Sequence, residues 1–168
     1  MEDEQVAVDG APIPVESMGQ SWRVSWHPPP DPPDGIPHGA EGVCVTPSRE
    51  IVLISSDGSH WDLPAGRPEP GETWEDTLRR EMLEEACATV VAARLLGFVR
   101  GECVAGHELG RVLVRSIWRA DVQLGPWAPQ FEIPHRRVVA SAEAWANFAG
   151  HPFGAFVRRE LLEAGVNP

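Results

Sequence analysis

A glycine- and proline-rich loop that runs directly into an acidic helix limits the fold of this chain more than any other feature. The helix is predicted over 73–86, where apolar residues recur every fourth position as Trp74, Leu78 and Met82. Thr73 lies three residues before Asp76, a spacing typical of a helix N-terminal cap. A short extended piece, 61–66, enters the loop. The segment therefore predicts strand, tight loop and helix in that order.

The predicted helix carries Glu81, Glu84 and Glu85 on one side, because these residues lie three and four positions apart. Like charges at this spacing destabilise an isolated helix, and a divalent cation with oxygen ligands would offset that cost. The alternative is a solvated acidic face, which is the usual meaning of a charge run. The loop favours the metal, since its glycines allow backbone carbonyls to approach the carboxylates. Arg80 lies beside them and can hold either a carboxylate or a phosphate.

This stretch resembles the Nudix box, G-x5-E-x7-R-E-U-x-E-E-x-G-U, where U is a bulky apolar residue. The matching positions, within a box that runs from Gly66 to Ala88, are Gly66, Glu72, Arg80, Glu81, Met82, Glu84 and Glu85. One position departs, because Cys87 stands where the box has its second glycine. A left-handed turn costs a residue with a Cβ about 1 kcal/mol, so we expect the helix to run on or to end differently.

The resemblance implies an α/β fold, a Nudix-like α/β/α sandwich with a mixed sheet. It also implies a Nudix-type pyrophosphohydrolase, in which water attacks a phosphoanhydride bond of a nucleoside diphosphate linked to another moiety. The implied cofactor is Mg²⁺, with Mn²⁺ as the alternative. A catalytically weak nucleotide-binding or regulatory module on the same fold is the second interpretation. A transferase or isomerase is a third, and it would need a reactive cysteine or an extra acid.

Carried over by position, the resemblance implies that the box holds the metal through Glu81, Glu84, Glu85 and the carbonyl of Ala65 or Gly66. It also implies that Arg80 orients a glutamate and that Glu72 stabilises the junction of loop and helix. The general base is either a box glutamate or an acid from a late loop, for which Glu132 is our candidate. A plain surface carboxylate is an equally good interpretation of Glu132.

Outside the box, period-two apolar patterns predict strands at 21–26, 40–46, 50–55, 90–100, 111–122 and 136–140. Two closing helices are predicted at 142–149 and 154–164. We interpret residues 1–20 as an acidic, flexible segment or a strand added late. Residues 21–168 then form one domain, with a proline-rich connector at 28–37.

The formal net charge of -11 disfavours long nucleic acid as a partner and leaves a small phosphorylated, nucleotide-like substrate that a divalent cation can screen. The chain has no apolar run of about 20 residues and no basic, apolar signal segment, so we expect a cytoplasmic protein without a membrane partner. Cys44, Cys87 and Cys103 form no C-x-x-C pair and predict free thiols. A homodimer through 21–26 is an open alternative.

Substrate recognition leaves several candidates open. The aromatic candidates for a base platform are Trp26, Trp61 and Trp127, although tryptophan is more often a packing residue. Arg136 and Arg137 are candidates for a phosphate contact, and a solvated strand edge is at least as good an interpretation of both.

Overall fold

A computed structural model describes residues 5–129 and 133–168, which form eight strands and three helices. The strands are β1 (Ile13–Ser17), β2 (Gln20–His27), β3 (Ile36–Val45), β4 (Ile51–Ser55), β5 (Ala65–Gly66), β6 (Ala88–Ala105), β7 (Val112–Leu124) and β8 (His135–Val139). The helices are α1 (Trp74–Ala86), α2 (Ser141–Asn147) and α3 (Gly154–Glu163). Every strand and helix predicted from periodicity is present, with small differences at the ends.

The sheet is mixed, as predicted. Its strand order is β1-β2-β6-β7-β3-β4-β8, and β5 pairs with the middle of β3. The pair β3 and β7 is parallel, whereas the other named pairs are antiparallel. Because β3 pairs with β5 at Ala40 and Glu41 and with β4 at Val45, its middle adjoins the box loop.

Two apolar cores lie on opposite faces of this sheet. Alternate residues of a strand point to opposite faces, so Val43 joins one core and Cys44 the other. The core on the Cys44 side is covered by α1, whose fully buried Leu78 and Met82 pack there. The core on the Val43 side is covered by α2 and α3. The result is the α/β/α sandwich that the box implied.

Helix α1 begins and ends on local hydrogen bonds. Thr73 and Asp76 form a reciprocal capping box at its start. At its end Cys87 adopts the left-handed conformation, with φ 51° and ψ 39°, and its amide donates to the Leu83 carbonyl. Our expectation of an extended or altered helix end was therefore wrong.

Tertiary hydrogen bonds account for that helix end. The Gly125 amide donates to the Cys87 carbonyl at 2.8 Å, and Arg136 donates to the Ala86 carbonyl at 2.8 Å. Each such bond contributes on the order of 1 kcal/mol, which offsets the cost of a left-handed cysteine.

The N-terminal segment is more ordered than we expected. Residues 13–17 form β1, which pairs with β2, and Ala7 is buried with its amide donating to the Ala155 carbonyl at 3.1 Å. The interpretation of 1–20 as flexible is therefore wrong for these residues, and the alternative of an added strand holds for 13–17. Among the described residues, no helix is long and apolar enough to cross a bilayer.

Candidate active site

The box loop lies directly against helix α1 because Gly66 has no side chain. A Cβ built on Gly66 would overlap the carboxyl group of Glu81. On the other side of the loop, a Cβ on Gly39 would lie 2.6 Å from the Gly66 carbonyl oxygen. Two glycines therefore allow β3, the loop and the Glu81 carboxylate to stack within contact distance.

Arg80 is the centre of the loop–helix junction. Its Nε and one terminal nitrogen donate to the two Glu72 oxygens at 2.8 and 2.9 Å. Its other terminal nitrogen donates to Glu81 at 2.7 Å and to Glu84 at 3.1 Å. The Arg67 carbonyl accepts a further bond at 2.9 Å. All five N–H groups of the guanidinium are thereby used, so this geometry favours holding carboxylates over binding a phosphate.

Glu72 is the fully satisfied partner of this arginine. Besides Arg80, its carboxylate accepts from the Glu69 amide at 2.7 Å and from the Thr77 hydroxyl at 3.1 Å. Hydrogen bonding to Arg80, reinforced by the Glu69 amide, lowers the pKa of Glu72 to about 2. The predicted role of Glu72 at the loop–helix junction agrees with these contacts.

Glu85 faces the start of the same loop. One of its carboxyl oxygens accepts from the Ala65 amide at 3.1 Å. In an antiparallel strand the N–H and C=O of one residue point to the same side, so the Ala65 carbonyl also faces α1. Burial, opposed by this amide and reinforced by the charge of Glu81, raises the pKa of Glu85 to about 7. Burial likewise raises the pKa of Glu81.

The box carboxylates do not enclose a preformed metal cage. Within residues 5–129 and 133–168, no three His, Cys, Asp or Glu side chains stand in a group that could hold a metal ion. Glu81 and Glu84 turn toward Arg80, whereas Glu85 turns toward Ala65. The donors still fit a hard cation, because all are oxygens and two of the carboxyls carry raised pKa values that a positive charge would reverse.

A cavity of about 690 Å³ opens beside Glu85 and continues to the face of the sheet covered by α2 and α3. This volume lies in the range of small-molecule sites. The box contributes Ala65, Arg67 and Glu85 to its wall. Polar lining residues from other elements include His38, Glu41, Arg115 and Glu160.

The sequence did not identify the cationic side of this cavity. Arg67 follows Gly66 directly, and that position was the only available signal. Arg115 and His38 reach the cavity from β7 and from β3, and nothing local in their strands marks them. Burial, followed by the charges of Arg115 and Arg67, lowers the pKa of His38 to about 4, so its imidazole is neutral near pH 7.

The arginines proposed for phosphate contact have other partners. Arg136 donates to the Ala86 and Gly125 carbonyls and stacks over Trp127, while Arg137 stacks over Trp61 and pairs with Glu143 at 3.4 Å. Neither arginine lines the cavity.

The proposed tryptophan platforms also lie elsewhere. Trp26 is fully buried in the core, and neither Trp61 nor Trp127 lines the cavity beside the box. Glu132 lies outside the described residues. Burial raises the pKa of Cys44 to about 12, and Cys103 is buried too, which argues against the reactive cysteine that an isomerase would need.

Comparisons with known proteins find similar sequences and similar folds. The family model of the NUDIX domain matches residues 36–163. A protein of Bacillus subtilis (strain 168), provisionally named an 8-oxo-dGTP diphosphatase, is 44% identical over 48 residues, or 28% of this chain. The matched part spans 32% of that relative's length.

Solved structures share the fold at low identity. The pyrophosphohydrolase RppH of Bacillus subtilis superposes with a TM-score of 0.59 at 23% identity, covering 70% of this chain and 71% of its own. A Nudix hydrolase from Nitrosomonas europaea gives 0.59 at 23% identity, covering 79% and 92%. The MutT protein from Methanosarcina mazei gives 0.57 at 18% identity, covering 78% and 97%. At these identities the likeness confirms the predicted fold.

Proposed function

Because the chain belongs to the Nudix family and is by class a Nudix-type hydrolase, we propose that it cleaves the phosphoanhydride bond of a nucleoside diphosphate linked to another moiety. The observation that carries the proposal is the contact of the Ala65–Gly66 backbone with two half-buried carboxyls, Glu81 and Glu85, of which Glu85 lines a cavity of about 690 Å³. A solvated acidic face would leave its carboxylates in water, away from a cavity.

In this proposal Mg²⁺, or Mn²⁺ in its place, is held by Glu81, Glu84, Glu85 and a loop carbonyl. The Ala65 carbonyl is the better candidate, because its amide already faces Glu85, whereas the Gly66 carbonyl lies against Gly39. The bound cation would neutralise charge on the phosphates and make a water molecule more acidic.

The other box residues have positioning roles. Arg80 holds Glu81 and Glu84 in place, and Glu72 fixes Arg80 in turn. Because its donors are all engaged, Arg80 acts through the carboxylates rather than on the substrate. Arg67 lines the cavity, and in this proposal it binds phosphate oxygens.

The general base is either a box glutamate or Glu132. Glu132 lies outside the described residues, so its role as the late acid stays a prediction from the sequence. In either case the base takes a proton from the attacking water, and the leaving phosphate carries away the bonding electron pair.

We infer the substrates and other binding partners from the net charge of the chain and from the names of its relatives. The relative named for 8-oxo-dGTP makes nucleoside triphosphates and oxidised nucleotides the first substrates to test. We also propose a cytoplasmic protein that binds neither long nucleic acid nor membrane. A homodimer through β2 is disfavoured, because β2 is paired on both sides by β1 and β6.

The experiment measures hydrolysis of the phosphoanhydride bond, by chromatography of the products, in nucleoside triphosphates, 8-oxo-dGTP, ADP-ribose, NADH, dinucleoside polyphosphates and coenzyme A, with and without Mg²⁺. The test variant is Glu85→Gln. Its matched control is Glu75→Gln, which removes an exposed carboxylate from the same helix. We expect Mg²⁺-dependent turnover that Glu85→Gln lowers by about 10²–10⁴-fold and Glu75→Gln leaves unchanged.

Turnover without Mg²⁺, or equal turnover in the two variants, would contradict the proposed site. Mg²⁺ binding without turnover of any substrate would instead support the nucleotide-binding module.

A further inference from the structure

The cavity has two chemically different regions. The wall nearest the box is polar and contains Glu85, Arg67 and Arg115. The wall formed by the segment 148–160 is apolar and aromatic, with Phe148, Phe153, Phe156 and Val157. An aromatic wall of this kind suits a planar ring, and the arginines suit phosphates.

One carboxyl group interrupts the apolar wall. Glu160 projects from α3, and only 1% of its surface is exposed. It lines the cavity, and its Oε2 has no hydrogen-bond partner among the residues that the structure describes. An unsatisfied buried polar atom is costly, and native proteins keep few of them. An apolar residue at this position would cost less stability, so we expect the carboxyl to bind a ligand.

Glu41 and Arg115 are the charged neighbours of Glu160. Burial, followed by the charge of Glu41 and a hydrogen bond shared with it, raises the pKa of Glu160 well above its ordinary value, and Arg115 opposes this rise. A terminal nitrogen of Arg115 lies 3.6 Å from a carboxylate oxygen of Glu41. When Glu160 is neutral, one of its two oxygens donates its proton to the Glu41 carboxylate, and the other oxygen remains an acceptor.

The chemistry of Glu41 and Glu160 indicates which part of a substrate binds beside them. The Glu41 carboxylate repels phosphate and already pairs with Arg115, so the phosphate end of a substrate belongs beside Arg67. An acceptor in an aromatic wall pairs with an N–H donor at the edge of a flat ring. We propose that Glu160, held by Glu41, reads the N–H-bearing edge of the nucleobase and is thus a specificity-determining residue; this inference rests on the proposed function.

Equilibrium binding tests the assignment without requiring turnover. The probes are GMP, AMP, CMP and UMP, each with an N–H group on its base edge, and purine riboside 5′-monophosphate, which lacks one. Inorganic pyrophosphate serves as the probe for the phosphate region. Affinities are measured by calorimetry on the full chain.

For the wild-type protein we expect at least one N–H-bearing nucleotide to bind about 10-fold more tightly than purine riboside 5′-monophosphate. Glu160→Leu should abolish this preference and leave pyrophosphate affinity unchanged. Glu160→Gln should keep the preference within about threefold, because an amide can donate to Glu41 and still offer its oxygen to the ring.

Stability provides the second readout. Glu160→Leu removes an unsatisfied buried atom, so we expect its Tm to rise while base preference is lost. Glu160→Met is an alternative apolar shape if leucine does not pack.

A preference that survives both apolar variants, or a wild-type protein without preference, would overturn the proposal. Loss of the preference in Glu160→Gln would overturn the assignment of a neutral, accepting carboxyl. A hydrolase with no base preference would refute this inference alone, and base preference without hydrolysis would refute only the proposed activity.

Discussion

The guanidinium of Arg80 and the carboxyl of Glu160 are both largely withdrawn from water, but their polar atoms have opposite surroundings. All five donors of Arg80 have acceptors within the loop–helix junction. Glu160 has an oxygen with no partner among the described residues. The pKa of Glu72 falls in the first region, whereas that of Glu160 rises in the second.

This contrast separates positioning from recognition. A polar group whose hydrogen bonds are complete fixes its neighbours and has little left to offer a ligand. A buried polar group that lacks a hydrogen-bond partner lowers stability until a ligand supplies one. The junction around Arg80 therefore sets the geometry of the box, and the wall around Glu160 is suited to binding. Four predictions test the first half of this comparison, and the binding experiment tests the second.

The largest effect is expected from Gly66→Ala. The added Cβ would occupy the place of the Glu81 carboxyl and push it from the loop, while Arg80 keeps its other partners. We expect kcat/KM to fall by about 10²–10³-fold, since displacement by one ångström is enough for such losses. In the matched control, Gly125→Ala, the Cβ would meet only the Cys87 carbonyl oxygen at 3.4 Å. Equal kinetics in the two variants would contradict the stacking described for the box.

Arg80→Lys should have the next largest effect. Lysine has three donors and no fork, so Glu72, Glu81 and Glu84 cannot all keep their bonds. We expect kcat/KM to fall about 10–100-fold and the free energy of unfolding to fall by about 2 kcal/mol, measured by urea denaturation. Arg79→Lys, at an exposed ion pair with Glu75, is the control and should cost less than about 1 kcal/mol. A wild-type-like Arg80→Lys protein would refute the positioning role.

A pH-dependent effect should follow from Glu72→Gln. The pKa of Glu72 is lowered from 4.5 to about 2 in the folded chain, so its contribution is complete above 4.5 and is lost as pH falls toward 2. We expect Glu72→Gln to have a lower Tm than the wild type near neutral pH. The difference in Tm between the two proteins should become smaller as the pH falls from 4.5 to about 2. A difference in Tm that stays constant with pH would show that the Glu72 charge does not stabilise the junction.

The smallest effect is expected from Cys87→Gly. Glycine adopts the left-handed conformation at φ 51° without the cost that a Cβ brings, so the free energy of unfolding should rise by about 0.5–1 kcal/mol. The thiol gives up only a long contact with the Ala128 carbonyl at 3.6 Å. Hydrolysis should be unchanged, because α1 already ends at this residue. A destabilised glycine variant would show that the thiol contact outweighs the backbone strain.

The box shows which structural features can be predicted from local sequence. The cap at Thr73, the inward stripe of α1 and the Gly66 position all depend on residues within one turn or loop of each other, so spacing alone predicted them. Cys87 shows the limit, because its conformation depends on hydrogen bonds involving Gly125 and Arg136, which are far away in the chain.

The sequence by itself determined the box and most of the order of strands and helices, because periodicity and spacing are short-range properties. The resemblance of the box to a known family implied the class of its chemistry. Only the tertiary structure decided which side chains meet at the cavity. Glu41, Arg115 and Glu160 come from β3, β7 and α3, and no local pattern relates them. The parallel pairing of β3 with β7 and the packing of α3 on this face of the sheet bring the three charged residues together, and burial there raises the pKa of Glu160.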